Sequence, residues 1–349
     1  MDKAIAEAIV RDLPHMENRD EFYARLSKKG NELCRITNNS FSQIGNSTML
    51  QNVLCVDGGN AEILATPSNS VQFIRCCAAY FSHGKRMWTR KTEFYMVASV
   101  EESEVNEQVK CTVYSSDGNF APKSSGLLFD VAKLMASGSN VTNVAKAIDI
   151  ARRCSEIQFA ASLVPELAEN TLIVLDGTLE HKHELEQDSF QGLYKAVGGR
   201  GMAVCALAKT TSMLSDDGHA IIERLSKLHN NGKWLVRIAL RSEKPDPVLV
   251  CFARLNEHSR HIFRIEIKLL PGSQDSMVNE IAACLSMDSK DIAFPGYPYG
   301  LITADRFARV SSNEAAYLKT VFMARSGKGW DEISRAQYSL NAHDVLDSM

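Results

Sequence analysis

The 349-residue sequence lacks several features that would each assign a protein to a class. It has no Cys-x-x-Cys pair, and its nine cysteines are odd in number. Because Cys55, Cys111, Cys205 and Cys251 lie inside apolar runs, we expect buried thiols in a reducing compartment, not a zinc site or a disulfide framework. No stretch approaches the roughly 18 consecutive apolar residues of a membrane span. The N-terminal MDKAIAEAIVRDL lacks the apolar core of a signal peptide. We therefore expect a soluble, cytoplasmic protein with no membrane partner.

The sequence also has little net charge, no internal repeat and no low-complexity tract. A formal charge of −3 excludes an overall basic surface, so any nucleic-acid binding must depend on local patches. The hydrophobic share of 45% and the charged share of 23% are typical of a globular protein with a sizeable core. Since no composition change marks a linker, we predict one large domain with terminal additions.

Apolar runs alternate with helical patterns along the chain, and the connections between strands are of both hairpin and crossover type. This mixture predicts an α/β domain with a mixed sheet and helices on its faces. Strands are predicted for two segments ending at Asp57 and Asp176, and for 71–81, 93–100, 110–114, 202–208, 234–240, 248–255 and 261–269. Helices are predicted for 1–36, 141–164, 186–197, 216–229, 276–286 and from 301 onward.

Two of the predicted strands share one arrangement, in which a buried apolar run ends in an aspartate followed by glycine. VLCVDGG contains Asp57, and LIVLDGT contains Asp176. Two such strands can bring both carboxylates to one edge of one sheet, where paired carboxylates suit hard divalent cations. The alternative is that each aspartate only begins an Asp-Gly turn. The repetition favours function without deciding between the two.

Four further residues could carry chemistry, each with a simpler alternative. Glu156 lies on the helix before the Asp176 strand, where it could approach the strand's end or be an ordinary solvated residue. Asp305 could be a fourth carboxylate, or a first-turn acid that favours the helix dipole. Lys209 ends a buried strand and could stabilise phosphate charge or extend to solvent. Tyr297 could position a phosphate, stack on a base or be a core aromatic.

Basic side chains are densest in KRMWTRK, residues 85–91, which also contains a tryptophan. This stretch is either the solvated tip of a hairpin or a contact with the backbone of DNA. The residues predicted to contact DNA are Arg75, Lys85, Arg86, Arg90 and Lys91.

Taken in order, several segments resemble the NurA family of archaeal and bacterial nucleases. They are VLCVDGG (53–59), Glu156, LIVLDGTL (172–179), AVCALAKTT (203–211) and GYPYGLITADRFARV (296–310). The resemblance implies a nuclease domain over 47–312, with a ribonuclease H-like mixed β-sheet flanked by helices. It leaves helical additions at 1–46 and 313–349.

The resemblance also implies an activity and its partners. It indicates a homodimeric deoxyribonuclease, with 5′-to-3′ exonuclease and single-strand endonuclease activity, that resects DNA ends for recombinational repair. The partner implied is a HerA-type hexameric translocase. The rival classes are an actin-like or sugar-kinase-like ATPase and a non-catalytic adaptor of the translocase. The ATPase class requires a Gly-rich phosphate-binding hairpin after the first strand, and DGGNAEIL is too poor in Gly, Ser and Thr to form one. The adaptor class is disfavoured because all four acidic positions of the nuclease site carry an acidic residue.

By position, the resemblance assigns roles to the candidate residues. Lys209 and Tyr297 become supporting catalytic residues. Asp57, Glu156, Asp176 and Asp305 are assigned as metal ligands and as catalytic residues. The resemblance implies that they hold two manganese or magnesium ions. The family often has histidine where this chain has Asp305, which leaves the metal preference and the pH dependence open.

Overall fold

Three long antiparallel strands lie at the centre of the protein in a computed structural model. The structure describes residues 2–12, 19–26, 30–47, 49–66, 68–102, 107–115, 127–131, 143–181, 183–242, 247–269 and 275–327. The strands are β1 (Glu21–Phe22), β2 (Asn31–Leu33), β3 (Ile36–Thr37), β4 (Phe41–Gln43), β5 (Asn52–Ala65), β6 (Asn69–Ser82), β7 (Lys85–Glu102), β8 (Glu107–Tyr114), β9 (Leu127–Asp130), β10 (Thr171–Asp176), β11 (Ala203–Ala208), β12 (Trp234–Arg241), β13 (Val248–Arg254) and β14 (Phe263–Lys268).

Helices cover both faces of the sheet that these strands form. They are α1 (Lys3–Asp12), α2 (Asn143–Leu163), α3 (Glu184–Val197), α4 (Ile221–Leu228), α5 (Asp275–Asp288), α6 (Tyr299–Ala308) and α7 (Ser312–Ser326). Within the described ranges, none of the helices has the length and apolar character needed to cross a membrane.

The main sheet has 12 strands in the order β2-β12-β13-β14-β11-β10-β5-β6-β7-β8-β9, with β4 also paired to β12. Strand β10 runs parallel to both β5 and β11, whereas the other pairings in this sheet are antiparallel. The crossover between β5 and β10 contains α2, and the one between β10 and β11 contains α3. This mixed sheet with flanking helices confirms the predicted α/β architecture.

Strand β10 is buried on both faces because each face packs against a different helical layer. Ile173 belongs to the core beneath α2 and α3, and Val174 to the core beneath α5 and α6. A strand buried in this way reads as a continuous apolar run, which is why LIVLD carries no polar alternation. Burying each such side chain contributes about 1.5–3 kcal/mol. The rigid central strands therefore fix the positions of the residues at their ends.

The prediction of helix over residues 1–36 is correct for Lys3–Asp12 and wrong for the described residues between 21 and 36. Helix α1 covers Lys3–Asp12, but residues 21–43 contain four short strands, and β2 and β4 both extend the main sheet beside β12. The fully buried Phe22 and Ile36 pair with each other across β1 and β3. The segment 1–46 is therefore not a purely helical addition.

The basic stretch is also not a connecting loop. Strand β7 begins at Lys85 and pairs with β6 from there, so only His83 and Gly84 form the turn. Both residues have positive φ, 50° and 72°, as in the two-residue hairpin turns that match strand twist. The basic side chains therefore lie on a strand of the sheet.

Candidate active site

The two Asp-Gly strands lie side by side in the sheet. Strands β5 and β10 are parallel neighbours, and Val56 is paired with Leu175, so the residues that follow, Asp57 and Asp176, are adjacent. Strand β5 continues as a long hairpin with β6, whereas β10 ends at Asp176. The structure thus brings both aspartates to one place on one sheet.

Lys209 lies at the centre of the candidate site. It directly follows β11, the next strand along, and its Nζ lies 2.7 Å from Asp305 Oδ1, 3.1 Å from Asp176 Oδ2 and 3.9 Å from Asp57 Oδ2. Burial acts to lower the pKa of Lys209, but the hydrogen bond to Asp305 and the two other carboxylates outweigh it, and the pKa is raised. The lysine is therefore held as a cation among three carboxylates.

The carboxyl group of Asp57 has a strongly raised pKa. Its pKa rises to about 8, first because the side chain is buried and then because Asp176 and Glu156 are close; Lys209 and the Gly58 N–H oppose the rise. The Gly58 amide donates a hydrogen bond of 2.7 Å to Asp57 Oδ1. The protein therefore only partly compensates the negative charge of the Asp57 carboxylate. A cation bound beside it would stabilise the ionised form.

Tyr297 fixes the orientation of Asp176. Its hydroxyl donates a hydrogen bond of 3.0 Å to Asp176 Oδ1, and its ring is packed between Phe263 and Phe294. Burial and the neighbouring Asp176 raise the pKa of the phenol far above its usual value, so the hydroxyl keeps its proton and remains a donor. The ring also lies 5.7 Å below the Lys209 ammonium.

Glu156 reaches the site from helix α2 on the opposite face of the sheet. An added Cβ on Gly58 would lie 2.6 Å from Glu156 Cγ and Cδ, so the glycine is needed for this close approach. Arg152, one turn earlier on α2, pairs with Glu156 and donates a hydrogen bond of 3.1 Å to the Gly58 carbonyl. Burial raises the pKa of Glu156, and the two arginines Arg152 and Arg153 counteract that rise.

Helix α6 brings Asp305 to the site along the other face of β5. Its C-terminal turn lies against Gly59, where an added Cβ would be 3.0 Å from the Ala308 carbonyl carbon and closer still to its oxygen. Only glycine permits this approach without moving the helix. Two successive glycines, Gly58 and Gly59, therefore let Glu156 and Asp305 approach β5 from opposite faces.

Sequence reasoning missed Arg152 as a site residue. Its only sequence signal is the spacing of four residues from Glu156, which is typical of ordinary surface ion pairs on helices. This spacing indicates a site residue only when α2 is packed onto Gly58, because the Arg152–Glu156 pair is then largely shielded from solvent.

The donor set fits a divalent metal ion, since carboxylate oxygens are the ligands that hard cations prefer. In the described part of the chain, however, no three His, Cys, Asp or Glu side chains surround a common point closely enough to hold an ion as they stand. The positions among the carboxylates are taken by the Lys209 ammonium and the Arg152 guanidinium. A cation bound by Asp57 and Asp176 therefore has to share them with Lys209.

Four of the five residues predicted to contact DNA are exposed on β7. Lys85 and Arg86 lie at its start, and the Arg86 guanidinium lies 5.9 Å from the ring centre of Phe307 on α6. Arg90 pairs with Glu166 and lies over the Trp88 ring.

Among the basic residues of β7, Lys91 is the one that the strand register places in line with Asp57 across β6. Asp57 is paired with Cys77, and Cys77 with Lys91, so Lys91 lies two strands from Asp57 on the same face. The strand spacing puts their backbones about 10 Å apart. Lys91 also forms an ion pair of 2.7 Å with Glu93.

Arg75 is placed differently from the other four residues. Only 8% of it is exposed, and its guanidinium is paired with Glu93 at 2.7 Å and with both carboxylate oxygens of Glu314. It also donates to the Arg309 carbonyl at 3.1 Å. Arg75 therefore fastens α6 and α7 to the sheet, and its burial does not support the prediction that it contacts DNA.

Comparisons with known proteins give a family match and a likeness of fold. The family model of the NurA domain matches residues 51–310. Among solved structures, the NurA nuclease from Sulfolobus solfataricus is similar with a TM-score of 0.54 and 12% identity, over 84% of this chain and 89% of that one. The catalytic domain of human endonuclease V is similar with a TM-score of 0.36 and 11% identity, over 78% of this chain and 89% of that one. A search of curated proteins found no significant match.

Proposed function

This chain belongs to the NurA family, whose domain spans residues 51–310, and from that membership we propose that it is a metal-dependent deoxyribonuclease. Family and fold support a nuclease. The observation that carries the proposal further is the convergence of Asp57, Asp176 and Asp305 within 4 Å of the Lys209 ammonium. This set combines carboxylates for a cation with a positive charge for a phosphate.

Asp57, Asp176 and Asp305 are the proposed metal ligands, and Glu156 completes the acidic cluster. A divalent ion bound there, manganese or magnesium, would supply an activated water and charge neutralisation for phosphodiester hydrolysis. Asp57 needs such an ion most, because its carboxylate is buried beside two others.

The remaining residues act on the substrate and on the ligands. Lys209 has a long unbranched side chain, so its ammonium group can exchange a carboxylate partner for a phosphate oxygen of the substrate. Tyr297 keeps Asp176 in one orientation by its 3.0 Å hydrogen bond, which leaves Asp176 Oδ2 directed at a cation, here the Lys209 ammonium. Tyr297 is in this sense a positioning residue.

The proposed substrate is DNA, held by its backbone along β7 through Lys85, Arg86, Arg90 and Lys91. These residues are exposed on the strand that holds the register position of Asp57, with Lys91 on the face of Asp57 and Arg90 on the opposite face. Because the protein as a whole carries a charge of −3, local basic residues such as these are what allow an acidic site to hold a polyanion. Binding of this kind should weaken as salt is raised.

The finer parts of the proposal rest on family resemblance. They are 5′-to-3′ exonuclease and single-strand endonuclease activity, end resection with a HerA-type hexameric translocase, a homodimeric state, a cytoplasmic location, and a nuclease domain over 47–312. The additions at 1–46 and 313–349 are candidates for dimerisation or docking, although β2 and β4 show that part of the first also extends the sheet.

The test is Asp57→Ala assayed on single- and double-stranded DNA with manganese. We expect cleavage to fall to background while circular dichroism and the oligomeric state stay those of the wild type. Asp188→Ala, at an exposed position on α3, is the matched control. Undiminished cleavage by Asp57→Ala would refute the assignment. Measurable ATP turnover without cleavage would favour the ATPase class instead.

A further inference from the structure

Two cationic side chains already lie among the carboxylates of the proposed metal site. Lys209 is within 4 Å of three of them, and Arg152 forms an ion pair with the fourth, Glu156. The Arg152 side chain is three-quarters buried, and its second hydrogen bond, to the Gly58 carbonyl, ties it to β5 directly after Asp57. Both cations are therefore built into the site.

The charge balance of this cluster has a consequence for how many metal ions it holds. When ionised, the four carboxylates carry four negative charges, and Lys209 and Arg152 offset two of them. One divalent ion neutralises the remainder. A second would leave two uncompensated positive charges, of which a bound phosphodiester offsets one. In a partly buried site such an excess is costly, because like charges a few ångströms apart repel strongly where little solvent screens them.

The other basic residues nearby do not change this balance. Arg153 opposes the rise in the pKa of Glu156, but its charge is offset by its own carboxylate partner, Glu186, at 3.3 Å, and it donates hydrogen bonds to the carbonyls of Thr178 and Glu180. Arg309 lies 3.7 Å from Asp305, but three-quarters of its side chain is exposed, so solvent screens the pair. Arg152 and Lys209 are thus the cations that matter for the cluster.

We propose that the site binds a single divalent ion, and that Arg152 and Lys209 supply the positive charge that a second ion supplies in two-ion nucleases. The ligands are Asp57, Asp176 and Asp305, and Glu156 serves as the partner of Arg152. This differs from the two ions and the Glu156 ligand that the family resemblance implies. The inference rests on the proposed nuclease function and specifies the metal content of that site.

The proposal predicts the effect of removing the buried guanidinium. Arg152→Met keeps the length and apolar stem of the side chain but releases Glu156, and raises the net negative charge of the cluster by one. A second divalent ion then has both a ligand and a compensating charge. Arg152→Lys keeps the charge and should keep the metal content of the wild type.

The experiment is manganese titration of the full chain by calorimetry, with electron paramagnetic resonance on the same samples. We expect one ion per wild-type chain with the spectrum of an isolated ion, and two magnetically coupled ions in Arg152→Met. Arg153→Met, a neighbouring buried arginine on the same helix, is the matched control and should bind one. Thermal unfolding of each variant verifies its fold, and the wild-type result stands alone if Arg152→Met does not fold.

The outcomes separate this inference from the function on which it rests. Two coupled ions in the wild type, with DNA cleavage intact, would overturn the single-ion site and leave the nuclease proposal standing. One ion in a folded Arg152→Met would overturn the role of Arg152. Asp57→Ala is titrated in parallel. If the wild type shows no manganese binding that Asp57→Ala loses, the proposed metal-dependent function itself is refuted.

Discussion

The raised pKa of Asp57 makes the metal-free protein lose stability as the pH rises. An unfolded chain releases this proton at about pH 3.9, whereas the folded protein holds it until about pH 8. Between these values the folded state binds more protons than the unfolded state, so the free energy of unfolding falls with increasing pH. Above pH 8 the loss is complete.

The size of the effect follows from the difference between the two pKa values. About four pH units at about 1.36 kcal/mol each give an upper limit of about 6 kcal/mol. Because part of the shift depends on the neighbouring carboxylates of Asp176 and Glu156, we expect about half of this limit for Asp57 alone. Asp57→Asn removes the titrating group, so the variant should gain stability over the wild type by about 2–4 kcal/mol between pH 5 and pH 9.

The assay is urea unfolding of wild type and Asp57→Asn in a chelator at several pH values. The change of their stability difference with pH isolates the titration from any constant effect of the amide. Asp188→Asn, at an exposed position on α3, is the matched control for converting one carboxyl to an amide. A stability difference that stays the same from pH 5 to pH 9 would refute the reasoning, because Asp57 would then titrate as an ordinary exposed acid.

Three further changes test other parts of the site. Tyr297→Phe leaves Asp176 without its hydroxyl donor, so we expect a loss of about 1–3 kcal/mol in unfolding free energy and a lower kcat with substrate KM unchanged. Gly59→Ala forces a methyl group against the Ala308 carbonyl, so it should cost about 1–3 kcal/mol in unfolding free energy and shift α6 enough to reduce cleavage. Lys91→Ala should weaken DNA binding and lower the slope of log K against log salt by about one, measured by fluorescence anisotropy.

Matched controls exist for each of these changes. Tyr317→Phe alters an exposed tyrosine on α7, and Gly192→Ala introduces a methyl group where no neighbour lies within 4 Å. Lys110→Ala removes a lysine that, like Lys91, pairs with a glutamate on its own face of the sheet. If a control reproduced the effect of its counterpart, the corresponding contact would not be its cause.

The sequence was sufficient to predict the central strands and the meeting of Asp57 with Asp176. Both strands are continuous apolar runs, and such runs come from strands covered on both faces. The short strands between residues 21 and 43 could not be predicted in this way. Their two or three residues carry no periodicity. Strands β2 and β4 form by pairing with β12, and β1 and β3 form by pairing with each other.

Contacts between distant elements account for the parts of the site that the sequence did not reveal. Arg75 looks like any other basic residue of a solvated strand. Its cross-strand partner on β7 is Glu93, and only the packing of α7 onto the sheet adds Glu314 as a second partner. Arg152 becomes part of the site only because α2 packs onto β5, where Arg152 reaches the Gly58 carbonyl and Glu156 lies against the bare Gly58. In both cases the environment is supplied by a segment more than 90 residues away.

The central claim is that Asp57 and Asp176 bind a divalent cation beside Lys209. The most direct measurement is a crystal structure of the protein in manganese, with the ion located by its anomalous scattering. We predict an anomalous peak between the carboxylates of Asp57 and Asp176, with the Lys209 ammonium moved away from the Asp176 oxygen that it contacts at 3.1 Å. A manganese-containing crystal with no peak there, and Lys209 still in that contact, would contradict the account.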